Sequence, residues 1–229
     1  MKSVLLYAIV ALPVAGTLAS CSSSGSASTS NLKILTKEQI AGLTSWASLG
    51  GGSLPDAPSV ALVHSSANLP KDKHGMPTYS LNQRNRVVRT TSYSHMENEP
   101  GAPGRLNAAG TILKYGQVRS AAADWSQYPV GTTFKIKGLP YTYVVDDYGS
   151  SLVGTNTIDI FHPTLGGMRH WATRPAEITV VHWGSWERTA NLLSRRCQHP
   201  HCAQMYAGVL RKIRSGEVAS TSTGGSNSL

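Results

Sequence analysis

Between Val87 and Trp183 apolar and polar residues alternate in short runs, each bounded by glycine or proline. VVRTTSY (87–93), GQVRSAAAD (116–124), TTFKIKG (132–138), YTYVVDD (141–147), NTIDIF (156–161) and AEITVVHW (176–183) are the six clearest. Most are rich in β-branched and aromatic residues, which suit a pleated, half-buried surface. About six short strands predict a mainly β domain, a small barrel or sandwich, with Lys137-Gly-Leu-Pro-Tyr141 as a hairpin-like connection. After Trp186 the period lengthens. WERTANLLSRR sets Ala190, Leu192 and Leu193 among polar neighbours, and CAQMYAGVLRKIR places Met205, Val209, Leu210 and Ile213 on one helical face. Pro200 divides the two predicted helices, because inside a helix it would remove a backbone hydrogen bond.

The N-terminus follows another pattern. MKSVLLYAIVALPVAGTLASC has one lysine, an apolar run from Val4 to about Val14, then small residues before a cysteine, the layout of a secretory signal. Leu18-Ala19-Ser20-Cys21 resembles a bacterial lipobox, so residues 1–20 are expected to be a signal peptide and Cys21 the lipidated new N-terminus. Residues 21–31 read as a Ser/Gly-rich tether and 32–86 as an irregular arm, with a short helix starting at Thr36. The barrel domain is expected over 87–185, a helical segment over 186–218 and a disordered tail over 219–229.

Charge narrows the partners. The chain carries 21 Lys and Arg against 12 Asp and Glu, a formal net charge of +9, and loss of Lys2 with the signal leaves about +8. An exported basic protein meets anionic wall glycans and lipid headgroups. No RNP-like motif, zinc-finger spacing or basic heptad is present, so nucleic acid is not an expected partner.

Three acidic residues stand around one glycine-rich turn in VVDDYGSSLVGTNTIDIF. Asp147-Tyr-Gly149 is a turn signal, Gly154 and Asn156 lead back into a strand, and Asp146 reads as incidental. Asp159 lies between Ile158 and Ile160, where alternation points it away from the apolar face. A carboxyl facing a groove from a strand can serve as a general acid, since partial burial raises its pKa; a structural Asp bonded to turn amides is the alternative. His95, Glu97 and Glu99 sit in a loop after a strand, where solvated side chains are the common case. Cys197 and Cys202 flank Gln-His-Pro-His. In an oxidising compartment they are expected to form a disulfide, with a metal site or free thiols as alternatives.

Thr91-Ser-Tyr93, Asn107-Ala-Ala-Gly-Thr111, Ala122-Ala-Asp124, Tyr128-Pro-Val-Gly-Thr132, Asp147-Tyr-Gly149, Gly154 and Ile158-Asp-Ile-Phe161 follow one another in an order that resembles the 3D domain. That domain is named for three aspartates and is shared with the membrane-bound lytic murein transglycosylase A type. The resemblance spans about residues 88–183 and implies a six-stranded double-psi β-barrel with a glycan-binding groove, here followed by C-terminal helices. Its three aspartates fall on Asp124, Asp147 and Asp159, with Asp159 as catalytic acid, Asp147 supporting it and Asp124 structural. Thr91, Tyr93, Gly149 and Gly154 would line the groove. Gly149-Ser-Ser-Leu-Val-Gly154 stands where the family has Gly-Gly-Ala-Ile-Lys-Gly, so the family's lysine is missing.

The expected function is therefore that of a lipid-anchored lytic transglycosylase acting on peptidoglycan glycan strands, with no cofactor or metal. The expected location is the periplasmic face of the outer membrane if the cell has one. A non-catalytic peptidoglycan-binding lipoprotein is the alternative.

Overall fold

Alternation of buried and exposed residues builds six strands: Asn85–Tyr93 (β1), Val118–Ala123 (β2), Thr133–Ile136 (β3), Thr142–Asp147 (β4), Thr157–Phe161 (β5) and Arg174–His182 (β6). The computed structural model describes residues 53–97 and 104–218. The signal, Cys21, the tether, the helix expected at Thr36, Glu99 and the tail lie outside them.

The strands form one mixed sheet. β1 runs parallel to β5 and antiparallel to β6, and β2 runs parallel to β4 and antiparallel to β5. β3 pairs antiparallel with both β4 and β6, so the ladder closes on itself in the order β1-β5-β2-β4-β3-β6. Closure leaves no strand edge unpaired. The inward residues make a dense apolar interior: Val88, Ala121, Phe134, Tyr143, Val145, Ile158, Ile160 and Ile178 are buried.

Among the described residues four α-helices accompany the strands: Val60–Ser65 (α1), Leu165–Trp171 (α2), Trp186–Ser194 (α3) and Pro200–Arg214 (α4). Thr164 caps α2 by accepting from the Gly167 N–H, and Ser185 caps α3 by accepting from the Arg188 N–H, each satisfying an otherwise orphaned donor. Pro200 sits in the first turn of α4, where its missing N–H costs nothing. The α3–α4 pair is part of the core rather than an appendage, for Trp186, Leu193, Cys202, Met205 and Val209 pack into the same apolar cluster as the sheet. Polar contacts bind it too: Thr189 Oγ1 accepts from the Val130 N–H at 2.9 Å, and Met205 Sδ accepts from the Trp125 N–H at 3.4 Å. Gly184, which leads from β6 to α3, has no room for a Cβ, which would collide with the Val130 carbonyl.

The described part of the expected arm, 53–84, includes α1 and is tied to the sheet. Asp72 Oδ2 accepts from the Asn156 N–H at 2.6 Å, and Tyr79 Oη accepts from the Val87 N–H at 2.9 Å. Arg86 is almost fully buried, donating to the Gln83 and Ser80 carbonyls at 2.7 and 2.8 Å with Tyr79, Tyr128 and Trp183 rings around it. Five hydrogen bonds are not needed when the cation is also stabilised by ring faces.

Candidate active site

A cavity of about 570 Å³ opens where β1, β4 and β5 end. It is lined by Tyr93 and His95 from β1 and the turn after it, Asp159 and Ala122 from β5 and β2, and Asp147, Tyr148 and Gly149 from the end of β4. The segment from Gly104 to Leu113 forms another side, and Arg196 enters from the turn between α3 and α4.

Register places Asp159. The parallel β1–β5 pair sets Thr91 opposite Asp159, and the β2–β5 pair sets Ala122 opposite it on the other side. Ile158 and Ile160 are fully buried while Asp159 is only partly so, as alternation requires. The small Ala122 leaves the carboxyl room on the cavity side. Thr91 donates to Asp159 Oδ1 at 2.6 Å. Burial pushes the Asp159 carboxyl up to about 6; the Thr91 hydroxyl opposes this, the charges of Glu97 and Asp147 add to it, and Arg89 opposes it. A carboxyl with a pKa of about 6 holds an appreciable proton population near neutrality and can return to the anion, as acid and base catalysis both need.

Asp147 is held differently. Its Oδ1 accepts from the backbone N–H groups of Ala108 and Tyr148 at 3.0 and 2.9 Å, and its Oδ2 accepts from the Tyr93 hydroxyl at 3.1 Å. Burial raises its pKa, and these three donors oppose that rise. With both oxygens engaged, Asp147 is suited to positioning: it fixes the Ala108 segment, aims Tyr93 and contributes its charge beside Asp159.

Asp124 lies outside the cavity. One oxygen accepts from the Ser126 N–H and hydroxyl at 2.8 and 2.7 Å, and the other from the Gly154 N–H at 2.7 Å. It therefore clamps the turn after β2 to the turn before β5. Gly154 belongs to that clamp and is not among the residues lining the cavity; its φ of +74° is the left-handed conformation that favours glycine. Gly149 does line the cavity, whereas Thr91 reaches it through Asp159.

Two expectations are corrected. Asp146 is not incidental, for it is 4% exposed and accepts from Lys114 at 2.7 Å and from the Ser120 hydroxyl at 2.9 Å. It ties the 105–120 connection to β4, and a break in the β2–β4 register leaves Asp146 as the extra residue between Val145 and Asp147, so the two aspartates meet different partners. Cys197 and Cys202 are free thiols. The first turn of α4 carries Cys202 into the core, where its Sγ donates to the Tyr148 hydroxyl at 3.3 Å, while Cys197 is exposed beside the Leu193 carbonyl. Among the described residues no three His, Cys, Asp or Glu side chains gather as a metal-binding group, and no helix is long and apolar enough to cross a membrane.

The Asn107-Ala-Ala-Gly-Thr111 run is a closed turn. Asn107 Oδ1 accepts from the Thr111 N–H at 2.9 Å, and the Ala109 N–H donates to the Asp146 carbonyl at 3.0 Å. Glu97 caps the turn that holds His95, accepting from the Ser94 N–H at 3.0 Å, and touches Asp159 only through its field. Arg196 carries no sequence signal of its own within a polar helix end, and only the docking of α3 and α4 reveals its place. No protein-family model matches the chain, and no curated protein does.

Proposed function

We propose that the chain is a lytic transglycosylase that cleaves peptidoglycan between N-acetylmuramic acid and N-acetylglucosamine, with Asp159 acting first as acid and then as base. The observation that carries this reading is one partly buried carboxyl, raised to about 6, facing a cavity of about 570 Å³ and bonded to a single hydroxyl. The closed ladder with two parallel pairs, β1–β5 and β2–β4, supports reading the fold as a double-psi β-barrel.

Protonated Asp159 gives its proton to the glycosidic oxygen as the bond from C1 of the muramyl unit breaks, leaving a free 4-hydroxyl on the departing sugar. The muramyl 6-hydroxyl oxygen closes onto C1, and its proton passes to the Asp159 carboxylate. The product is the 1,6-anhydro sugar, and the enzyme returns to its starting state. One carboxyl used twice suffices because the nucleophile belongs to the substrate, whereas most glycoside hydrolases need a pair. Asp147 and Tyr93 position the site. Lipidation at Cys21 would hold the domain at a membrane surface facing the wall, each buried CH₂ contributing about 0.8 kcal/mol.

The test is direct. Purified chain incubated with glycan strands should release anhydro-muropeptides detectable by mass spectrometry, and Asp159→Asn should release none. Undiminished product from that variant overturns the mechanism. Pelleting with sacculi but no product from the unaltered chain assigns it to wall binding instead.

A further inference from the structure

Arg196 is the one Lys or Arg among the described residues that line the cavity. Its backbone is fixed at both ends of the turn between α3 and α4: the Arg196 N–H donates to the Leu193 carbonyl at 2.9 Å, and the Arg196 carbonyl accepts from the His199 N–H at 3.0 Å. Leu193 is fully buried, so the turn is anchored in the core. The guanidinium donates through Nη2 to the Ala108 carbonyl at 2.8 Å and lies 5.8 Å from the Tyr148 ring centre. Its Nη1 is buried with no hydrogen-bond partner, and among the described residues no carboxylate forms an ion pair with it. Asp147, on the same cavity, is already satisfied by three other donors.

Arg196 as a whole is half-buried, with Ala108 and Tyr148 beside its guanidinium, but one buried nitrogen is left without an acceptor, which is costly unless something supplies one. Guanidinium presents paired donors in a plane that matches a carboxylate, and such charge-assisted pairs are about twice as strong as neutral ones. From this we infer that Arg196 makes the cavity selective for a sugar unit bearing a carboxylate, an inference that rests on the glycan reading of the site. In peptidoglycan that group can be the lactyl carboxylate of a muramyl unit stripped of its peptide, or a carboxylate of the attached peptide.

Binding rather than turnover tests this. The chain is titrated, by ligand-observed nuclear magnetic resonance, with N-acetylglucosamine, N-acetylmuramic acid and N-acetylmuramyl-L-alanyl-D-isoglutamine. The first lacks a carboxylate, the second carries it on the lactyl group and the third on the peptide. At least one acidic ligand should bind about tenfold more tightly than N-acetylglucosamine, and the tighter of the two identifies the source. Arg196→Gln, which removes the cation, should remove the preference, weakening the acidic ligand far more than N-acetylglucosamine. Arg196→Lys, which keeps the charge without the fork, should retain part of it. Equal binding of all three, binding of none, or a preference that survives Arg196→Gln overturns the inference. Discrimination without anhydro product overturns only the catalytic reading, and product without discrimination overturns only this one.

Discussion

Across a parallel strand pair, the Thr91 hydroxyl donates to Asp159 Oδ1 at 2.6 Å, the one side-chain hydrogen bond to that carboxyl among the described residues. It favours the anion, and burial favours the acid more. Thr91→Val removes the hydroxyl that favours the anion. A hydrogen bond to a charged group contributes roughly 1.5–3 kcal/mol, so the Asp159 pKa should rise by about one to two units. Since the reaction begins from protonated Asp159, the fall of kcat/KM on the alkaline side of the pH–rate profile should move upward by that amount. A profile that stays in place contradicts the role given to Thr91.

Asp159→Asn should stabilise the protein while inactivating it. The carboxyl titrates at about 6 when folded, against 3.8 as the reference value. Between these values the folded chain holds the proton more tightly, so stability is greatest below 3.8 and declines as pH rises through 6. Partial exposure moderates the effect to roughly 1–3 kcal/mol above pH 7. Asparagine cannot ionise and can still accept from Thr91. Urea denaturation at pH 8 should show the gain, and at pH 4 little of it.

His162 acts in the opposite direction. It is 3% exposed, with its Nδ1 at 3.3 Å from the Tyr115 hydroxyl, and burial together with the Arg119 and His170 charges lowers its pKa from 6.5 to about 4. The unfolded chain takes up the proton first, so stability is lost as pH falls from 6.5 through 4, by up to about 3 kcal/mol. His162→Gln should flatten that loss, measured as the denaturation midpoint against pH. In the unaltered chain His162 and Asp159 partly cancel over this window, so Asp159→Asn alone should steepen acid sensitivity.

Thiol titration of the folded chain should find one fast and one protected thiol at positions 197 and 202. Cys197 is exposed and Cys202 is buried against Tyr148. A reagent such as a disulfide-exchange chromophore should modify Cys197 within minutes and Cys202 only after denaturation. No reactive thiol before reduction would restore the disulfide.

The strands and the cavity-facing aspartate were legible because each depends on local order. Period-two alternation around Ile158 and Ile160 sets which way Asp159 points, and nothing remote can alter that without moving the whole strand. What escaped depends on meetings between distant segments. Asp146 looks like a spare acid until Lys114 and Ser120 arrive from 32 and 26 residues away. Arg86 ends the stretch expected to be an irregular arm and carries no signal of burial, yet three aromatic rings from separate parts of the chain enclose it. The two cysteines are close in sequence, and it is helix geometry that turns one inward and leaves the other out. The bond from the Gly154 N–H to Asp124 is likewise invisible in the sequence, since 30 residues separate the two.

The ring of strands also governs when this chain can fold. β1 neighbours β5 and β6, so the first strand made waits for nearly the last, and the interior is sealed only when α4 arrives. Assembly dominated by such distant pairings is slow, because loop closure precedes the contacts that reward it. A ribosome-bound intermediate ending before residue 182 therefore has no complete interior to bury. For a protein proposed to cross a membrane before it works, that delay keeps the chain threadable until it has arrived.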